Sequence, residues 1–371
     1  MIKLENVTKI FPGSDIPAVD NLSLDIKEGE VCVLVGPSGC GKTTTMKMIN
    51  RIYDPTEGRI ILGDKDIMDT NIIQLRLNIG YVIQEIGLFP HLSIEDNVAT
   101  VPRELKWPKE KVKQRVDELL TLVGLEPEIY GKRRPSHLSG GQRQRVGVAR
   151  AMAADPPVML MDEPFGAVDP ITRNRLQNEF LRLQEQLKKT IVFVTHDIDE
   201  AIKMGDKIAA MQEGRLIQYS DPDELLSTPK NEFVANLVGR NRSIKRLHLM
   251  HTRDVLNNDV AYVKLKTPLE EIEQKVKDSK LRAVMVLGDD NKLMGIISKE
   301  DIKREKGEVA ADYYQEILNT CTDDATLNDA LSVMLSYGEG FIAVTDGQER
   351  FKGIITVGDI FGVVKDDAND N

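Results

Sequence analysis

Apolar and polar positions along the chain follow two kinds of order. Ile2 to Val7 and Ala18 to Ile26 are strand-like segments, and Pro12-Gly13-Ser14-Asp15 between them is a turn, so the N-terminus predicts an antiparallel pair. Val31 to Val35 and Val158 to Met161 are wholly apolar, the pattern of strands buried on both faces of a parallel sheet. Arg59 to Leu62, Ile79 to Ile83 and Thr190 to Thr195 add further short strands. Breaker-free or helix-periodic runs cover Thr44 to Ile49, Lys109 to Val123 and Gln142 to Ala154, the last stopped by Asp155-Pro156-Pro157. Strands alternating with helices predict an α/β fold.

Past Arg240 the composition shifts and an internal repeat appears. Gly295-Ile296-Ile297-Ser298-Lys299-Glu300-Asp301-Ile302 recurs 58 residues later as Gly353-Ile354-Ile355-Thr356-Val357-Gly358-Asp359-Ile360. The same offset aligns Ala283 to Leu287 with Phe341 to Thr345. Each unit reads as helix, strand, turn, strand, helix, and is too small to bury much core alone, so the two are expected to pack as a pair. The predicted division is 1–240 and 241–371, with repeats at about 250–306 and 307–368; two or three domains suit 371 residues.

Charge and composition narrow the classes. The net charge of −10 argues against general nucleic-acid binding. All of the excess lies in the last 65 residues, which carry 3 basic and 13 acidic groups, whereas residues 241–306 carry 15 basic and 11 acidic. No apolar run is long enough to span a bilayer, and the start of the chain has no signal-peptide pattern. Cys32, Cys40 and Cys321 have neither pairing nor metal spacing, which suits a reducing compartment.

The chemistry is concentrated around Gly36-Pro37-Ser38-Gly39-Cys40-Gly41-Lys42-Thr43-Thr44, which joins a buried strand to a helix. In that context a Gly-rich loop cradles phosphates on backbone N–H groups and a helix N-terminus. Lys42 reaches the β- and γ-phosphates, and the Thr43 hydroxyl is a Mg²⁺ ligand. Asp162 and Glu163 close a buried strand, which is costly unless they are used. Beside a phosphate loop, Asp162 holds Mg²⁺ through water and Glu163 polarises an attacking water. His196 follows another strand and reads either as structural or as a γ-phosphate sensor. Phe11 reads as core or as an adenine-stacking ring, with core favoured by pattern alone.

Taken together, Gly36–Thr43, Gln84, Leu138-Ser139-Gly140-Gly141-Gln142, Val158–Glu163, Ala167-Val168-Asp169 and His196 resemble the ordered motifs of ATP-binding cassette (ABC) transporter ATPases. The resemblance covers Met1 to about Arg240 and implies a RecA-like core with an antiparallel β subdomain and a helical subdomain. It also implies ATP and Mg²⁺, an adenine-stacking role for Phe11, and a metal set of Thr43, Gln84 and Asp162. Catalytic roles fall to Glu163, His196, Gln84 and Lys42. Ser139, Gly140, Gly141, Gln142 and Asp169 would act on ATP held by a second copy, so a head-to-tail homodimer is implied. Val168 stands where leucine is common in the family.

Gln84 to His91 and Trp107-Pro108 resemble more narrowly the ATPases of quaternary-amine importers (glycine betaine, carnitine, choline, proline betaine). That implies permease subunits as partners, an extracytoplasmic binding protein behind them, and a place on the cytoplasmic face of the inner membrane. An importer of another small substrate, or a soluble ABC ATPase of DNA repair or translation, is the alternative. The latter usually has two cassettes or long coiled-coil insertions, neither of which occurs here.

The C-terminal repeats resemble a tandem pair of CBS domains. The resemblance places an adenine nucleotide, cyclic di-AMP among the candidates, against Ser298, Asp301, Thr356 and Asp359. Met285 and Ala343 stand where the family commonly has proline. A nucleotide sensor, a dimerisation platform and a sensor of ionic strength acting through the acidic tail all remain open.

Overall fold

A computed structural model describes residues 1–83, 87–166, 168–304 and 306–366. The chain divides into two compact units, Met1–Arg240 and Asn241–Asn371.

In the first unit, β1 (Ile2–Lys9) pairs antiparallel with β2 (Val19–Ile26). β3 (Val31–Val35) is fully buried and leads into the helix Lys42–Ile49. β4 (Glu57–Leu62) and β5 (Lys65–Asp66) complete a four-stranded antiparallel sheet in the order β2-β1-β4-β5. β6 (Ile79–Val82), β7 (Val158–Asp162), β8 (Thr190–Thr195), β9 (Lys207–Gln212) and β10 (Arg215–Ser220) join β3 in a six-stranded sheet, order β10-β9-β3-β8-β7-β6. Only β10 runs antiparallel in it.

One core serves both sheets: Leu4, Leu22 and Ile60 of the first pack with Leu34, Leu160 and Val192 of the second, and Met46 and Ile49 lie among them. A helical region, with helices Ile94–Glu104, Lys109–Leu122 and Gly140–Met152, lies between β6 and β7 in the chain. The last of these begins two residues before the sequence pattern predicts, because Ser139 caps it. The Ser139 hydroxyl accepts from Gln142 N–H, and the Ser139 N–H donates to the Gln142 side chain. β1 runs two residues past the predicted Val7 and stops at Lys9, so Phe11 lies in the following loop.

The second unit contains two three-stranded sheets. β11 (Tyr262–Lys264), β12 (Ala283–Leu287) and β13 (Leu293–Ser298) form one, with helices Leu269–Asp278 and Lys299–Arg304. β14 (Thr320–Thr322), β15 (Phe341–Thr345) and β16 (Phe351–Thr356) form the other, with helices Leu327–Tyr337 and Val357–Asp366. The sequence pattern misses β11 and β14, which are only three residues long.

The repeats exchange backbone contacts with the 58-residue offset preserved. Asn257, ahead of the first repeat's sheet, bridges to Ile354 of β16; Gln315, ahead of the second, bridges to Ile296 of β13. Met285, Leu287, Ile354, Ile296 and Phe351 pack between them. The pairing requires glycine where the visiting segment crosses: a Cβ on Gly353 would collide with the Asn257 carbonyl, and one on Gly295 with that of Gln315. Gly353 also sits at φ 157°.

Gly353→Ala should therefore destabilise the chain by about 1–3 kcal/mol in urea unfolding, the range for inserting atoms into a packed contact. Gly362→Ala, in a helix with open space around it, should be neutral or stabilising by up to ~1 kcal/mol. Equal effects at the two positions would contradict the crossing geometry.

Candidate functional site

The loop after β3 folds around its own lysine. Gly36, Cys40, Gly41 and Lys42 are buried, and the tip Pro37-Ser38-Gly39 is exposed. Gly41 has φ 103°, and a Cβ there would stand 2.5 Å from the Ala18 carbonyl, so only glycine fits. Lys42 Nζ donates to the carbonyls of Gly36 (2.7 Å) and Pro37 (2.8 Å), so the cation sits inside the loop ahead of a helix N-terminus. The ammonium is held by carbonyls, and among the described residues no carboxylate forms an ion pair with it, so a cation next to a helix N-terminus is left to meet an anion. Thr44 follows on the first turn, half-buried.

The parallel strands bring acids and a histidine to the same edge. Thr43 Oγ1 donates to Asp162 Oδ1 at 3.1 Å, joining the loop to the end of β7. Burial pushes the Asp162 carboxyl above the usual carboxylate range; the Thr43 hydrogen bond opposes this and the neighbouring Glu163 charge adds to it. Glu163 stands next to it in a left-handed conformation, φ 47°, an uncommon backbone for a non-glycine residue and one often found at active sites. Its N–H donates to the Val194 carbonyl of β8, and its Oε1 lies 3.1 Å from Nδ1 of His196. The His196 side chain is 64% exposed.

The Thr43 and Asp162 oxygens are hard donors. Among the described residues no cluster of three His, Cys, Asp or Glu side chains is assembled. Such a sparse all-oxygen set fits Mg²⁺, which usually keeps water and phosphate oxygens in its shell.

The helix that follows Ser139 reaches this edge, with the Gln144 side-chain amide donating to the Glu163 carbonyl at 3.2 Å. Gln84 falls outside the described residues. Ser139, Gly140, Gly141 and Gln142 form the accessible first turn of the helix Gly140–Met152. Asp169 caps the helix Pro170–Leu187, its Oδ1 accepting from Thr172 N–H at 3.1 Å. Phe11 lies edge-on to Tyr53, with ring centroids 5.1 Å apart. Sequence pattern does not single out Tyr53, since only the fold brings it to Phe11.

In the second unit the hydroxyl–acid pairs cap helices. Ser298 Oγ donates to Asp301 Oδ2 at 2.6 Å, and Thr356 Oγ1 to Asp359 Oδ2 at 2.7 Å. The same carboxylate oxygens accept from the N–H groups of Ser298 and Thr356. Thr356 and Asp359 also line a cavity of about 630 Å³, with Asp259, Ala261, Lys275 and Leu281.

Comparison with known proteins gives matches to both units. Residues 19–166 match the family model described as ABC transporter, and residues 253–308 and 310–366 match the CBS domain. The chain is 46% identical to the osmoprotectant import ATP-binding protein OsmV of Salmonella typhimurium, over 96% of this chain and 94% of the relative. It is 45% identical to the glycine betaine/carnitine/choline transport ATP-binding protein OpuCA of Bacillus subtilis, over 99% of this chain and 97% of the relative. Among solved structures it resembles the dimeric post-hydrolysis state of the ATP-binding cassette MJ0796 bound to ADP and Pi. There the identity is 36% and the TM-score 0.55, covering 60% of this chain and 99% of that one.

The buried Asp162 generates a stability prediction. Its raised folded pKa means that folding disfavours the charged form, so this group costs stability at neutral pH. Asp162→Asn keeps an oxygen to accept from Thr43 and should raise the melting temperature of the nucleotide-free chain. The advantage should be largest near pH 7 and shrink as the pH falls towards ~4, the unperturbed aspartate value. A lower melting temperature at pH 7 would contradict the burial argument.

Proposed function

The chain belongs to the ATP-binding proteins of ABC osmoprotectant importers, and we propose that it works as a head-to-tail homodimer that hydrolyses ATP to drive quaternary-amine uptake. The observation that carries the catalytic reading is the junction of Thr43 with Asp162 and of Glu163 with His196 at the strand ends beside the Lys42 loop. In this reading Lys42 leaves the Gly36 and Pro37 carbonyls for the β- and γ-phosphates. Thr43 and Asp162, with Gln84, would hold Mg²⁺, which neutralises charge on the phosphate oxygens when bound. Glu163 orients the attacking water and accepts its proton, and His196 holds that geometry at the γ-phosphate. Phe11, backed by Tyr53, offers a ring face for adenine. Ser139 and Gly141 of a second copy close over the γ-phosphate, which suits their accessible helix turn and needs two copies.

The membrane partner is assigned a seat in the first unit. Ile73 is 65% exposed, and with Arg76, Tyr81, Val101, Arg150 and Ala151 it lines a groove of about 380 Å³. Phe89, 41% exposed, lies beside Arg150. An apolar helix from a permease subunit at the cytoplasmic face of the inner membrane would bury this surface. An extracytoplasmic binding protein would then deliver the amine to the permease.

The second unit is proposed to tune transport by binding an adenine nucleotide in the cavity beside Thr356 and Asp359. Its size and mixed lining support that reading; Lys280 lines it too, and Lys275 would leave Glu271 and the Tyr262 carbonyl to meet phosphate. Because the Asp carboxylates cap helices, alanine at Asp301 or Asp359 would cost about 0.5–2 kcal/mol of stability whether or not a nucleotide binds. They are poor reporters of ligand contact.

Two predictions test these assignments. Glu163→Gln should bind ATP and accumulate as an ATP-bound dimer while turnover nearly vanishes; Lys42→Ala should instead weaken ATP binding. Near-wild-type hydrolysis in Glu163→Gln would remove Glu163 from the base role. For the second unit, calorimetric titration of the full-length Lys42→Ala chain with adenine nucleotides, cyclic di-AMP included, should detect binding that Lys275→Glu weakens. No binding by the full-length chain would remove the nucleotide reading.

A further inference from the structure

Beside His196 lies a buried acid that the catalytic reading does not use. Glu200 is 7% exposed, on the helix Ile198–Met204. One carboxylate oxygen accepts from the Thr195 hydroxyl at 2.5 Å; the other accepts from the Gln177 side-chain amide at 3.0 Å. Thr195 and Gln177 are themselves buried, at 2% and 4% exposure. A polar group removed from water is costly unless its hydrogen-bonding capacity is met, and here both Glu200 oxygens are taken up, by Thr195 and Gln177.

The bonds run in two directions. Thr195 is the last residue of β8, and its oxygen accepts from Asp197 N–H at 3.1 Å, closing the turn that carries His196. Asp197 in turn caps the helix that bears Glu200, accepting from the N–H groups of Asp199 and Glu200. His196 is mostly exposed, so packing does not fix its ring; its place depends on this turn and on the contact with Glu163. In the other direction, Gln177 lies on the helix that Asp169 caps. One turn earlier on that helix, Arg173 donates to the Val168 carbonyl at 3.0 Å.

We propose that Glu200 is a positioning residue that locks the His196 turn through Thr195 and ties it through Gln177 to the helix beginning at Asp169. The consequence is mechanical. Asp169 is the residue read above as facing the second copy, so docking of that copy and the placement of His196 share one rigid set of hydrogen bonds. The inference rests on the assignment of His196 to the γ-phosphate.

The test uses the full-length chain, with steady-state and single-turnover ATP hydrolysis alongside fluorescent-nucleotide binding. Glu200→Ala should lower kcat by ~10²-fold, the scale of a misplacement of about 1 Å. KM and nucleotide affinity should be nearly unchanged, because the phosphate loop is untouched. Glu200→Gln should restore most of kcat, since its amide can serve Thr195 and, with the Gln177 amide reversed, Gln177. Thr195→Val should reproduce the loss, and it carries the test if Glu200→Ala does not fold. In single turnover, adding Glu200→Ala to His196→Ala should cause no further loss.

Wild-type kcat in Glu200→Ala, full additivity with His196→Ala, or a loss that vanishes on normalising to nucleotide-binding protein would each overturn the clamp. An active His196→Ala would instead overturn the reading on which it rests. An inactive His196→Ala beside a fully active Glu200→Ala overturns the clamp alone.

Discussion

Parallel strands ending together at one edge are the constraint on which the first unit depends. β3, β7 and β8 are wholly buried, so their side chains decide packing and only their ends are free to carry chemistry. The phosphate loop follows β3, Asp162 ends β7 and Glu163 follows it, and His196 follows β8. Register then does the positioning: Asp162 pairs with Val194 and Val35 with Thr195, so the three ends are level. A one-residue slip in β7 would turn Asp162 to the other face of the sheet and take it away from Thr43.

Tertiary context explains what the sequence leaves obscure. The phosphate loop, the two acids, and the strands β8, β12 and β15 were legible, because glycine spacing and unbroken apolar runs are local signals. The short strands β11 and β14 were not, since three residues carry no period. Tyr53 meets Phe11 only through the fold, and Gln177 is brought to Glu200 from 23 residues away. Ser298 and Asp301 were legible as a motif whose local task was hidden: hydroxyl and acid three residues apart make a helix cap.

The second unit solves a different problem. Each repeat of 58 residues presents a sheet that it cannot cover alone, and each lends a segment to the other. Reciprocal exchange makes the pair a single cooperative object, since neither sheet keeps its crossing segment if its partner unfolds. The requirement appears in the sequence as the glycine opening each copy of the motif. Gly295 and Gly353 are there because a backbone passes over them, so the glycine belongs to the packing of the pair and the hydroxyl and acid to the helix that follows.

The edge proposed as catalytic concentrates its local costs at three residues. Glu163 adopts a left-handed backbone, Asp162 is buried beside it, and His196 projects into solvent next to the Glu163 carboxylate. None of these helps the fold by itself. Each is held by something rigid: Glu163 by its N–H bond to Val194 of the neighbouring strand, Asp162 by Thr43, and the His196 turn by Thr195 and Asp197. An exposed histidine on an unsupported loop would sample many positions and lose much of its value to a reaction that depends on alignment. The buried Glu200 at the base of that turn is therefore intelligible as part of the site's rigidity, although it lies below the reacting edge.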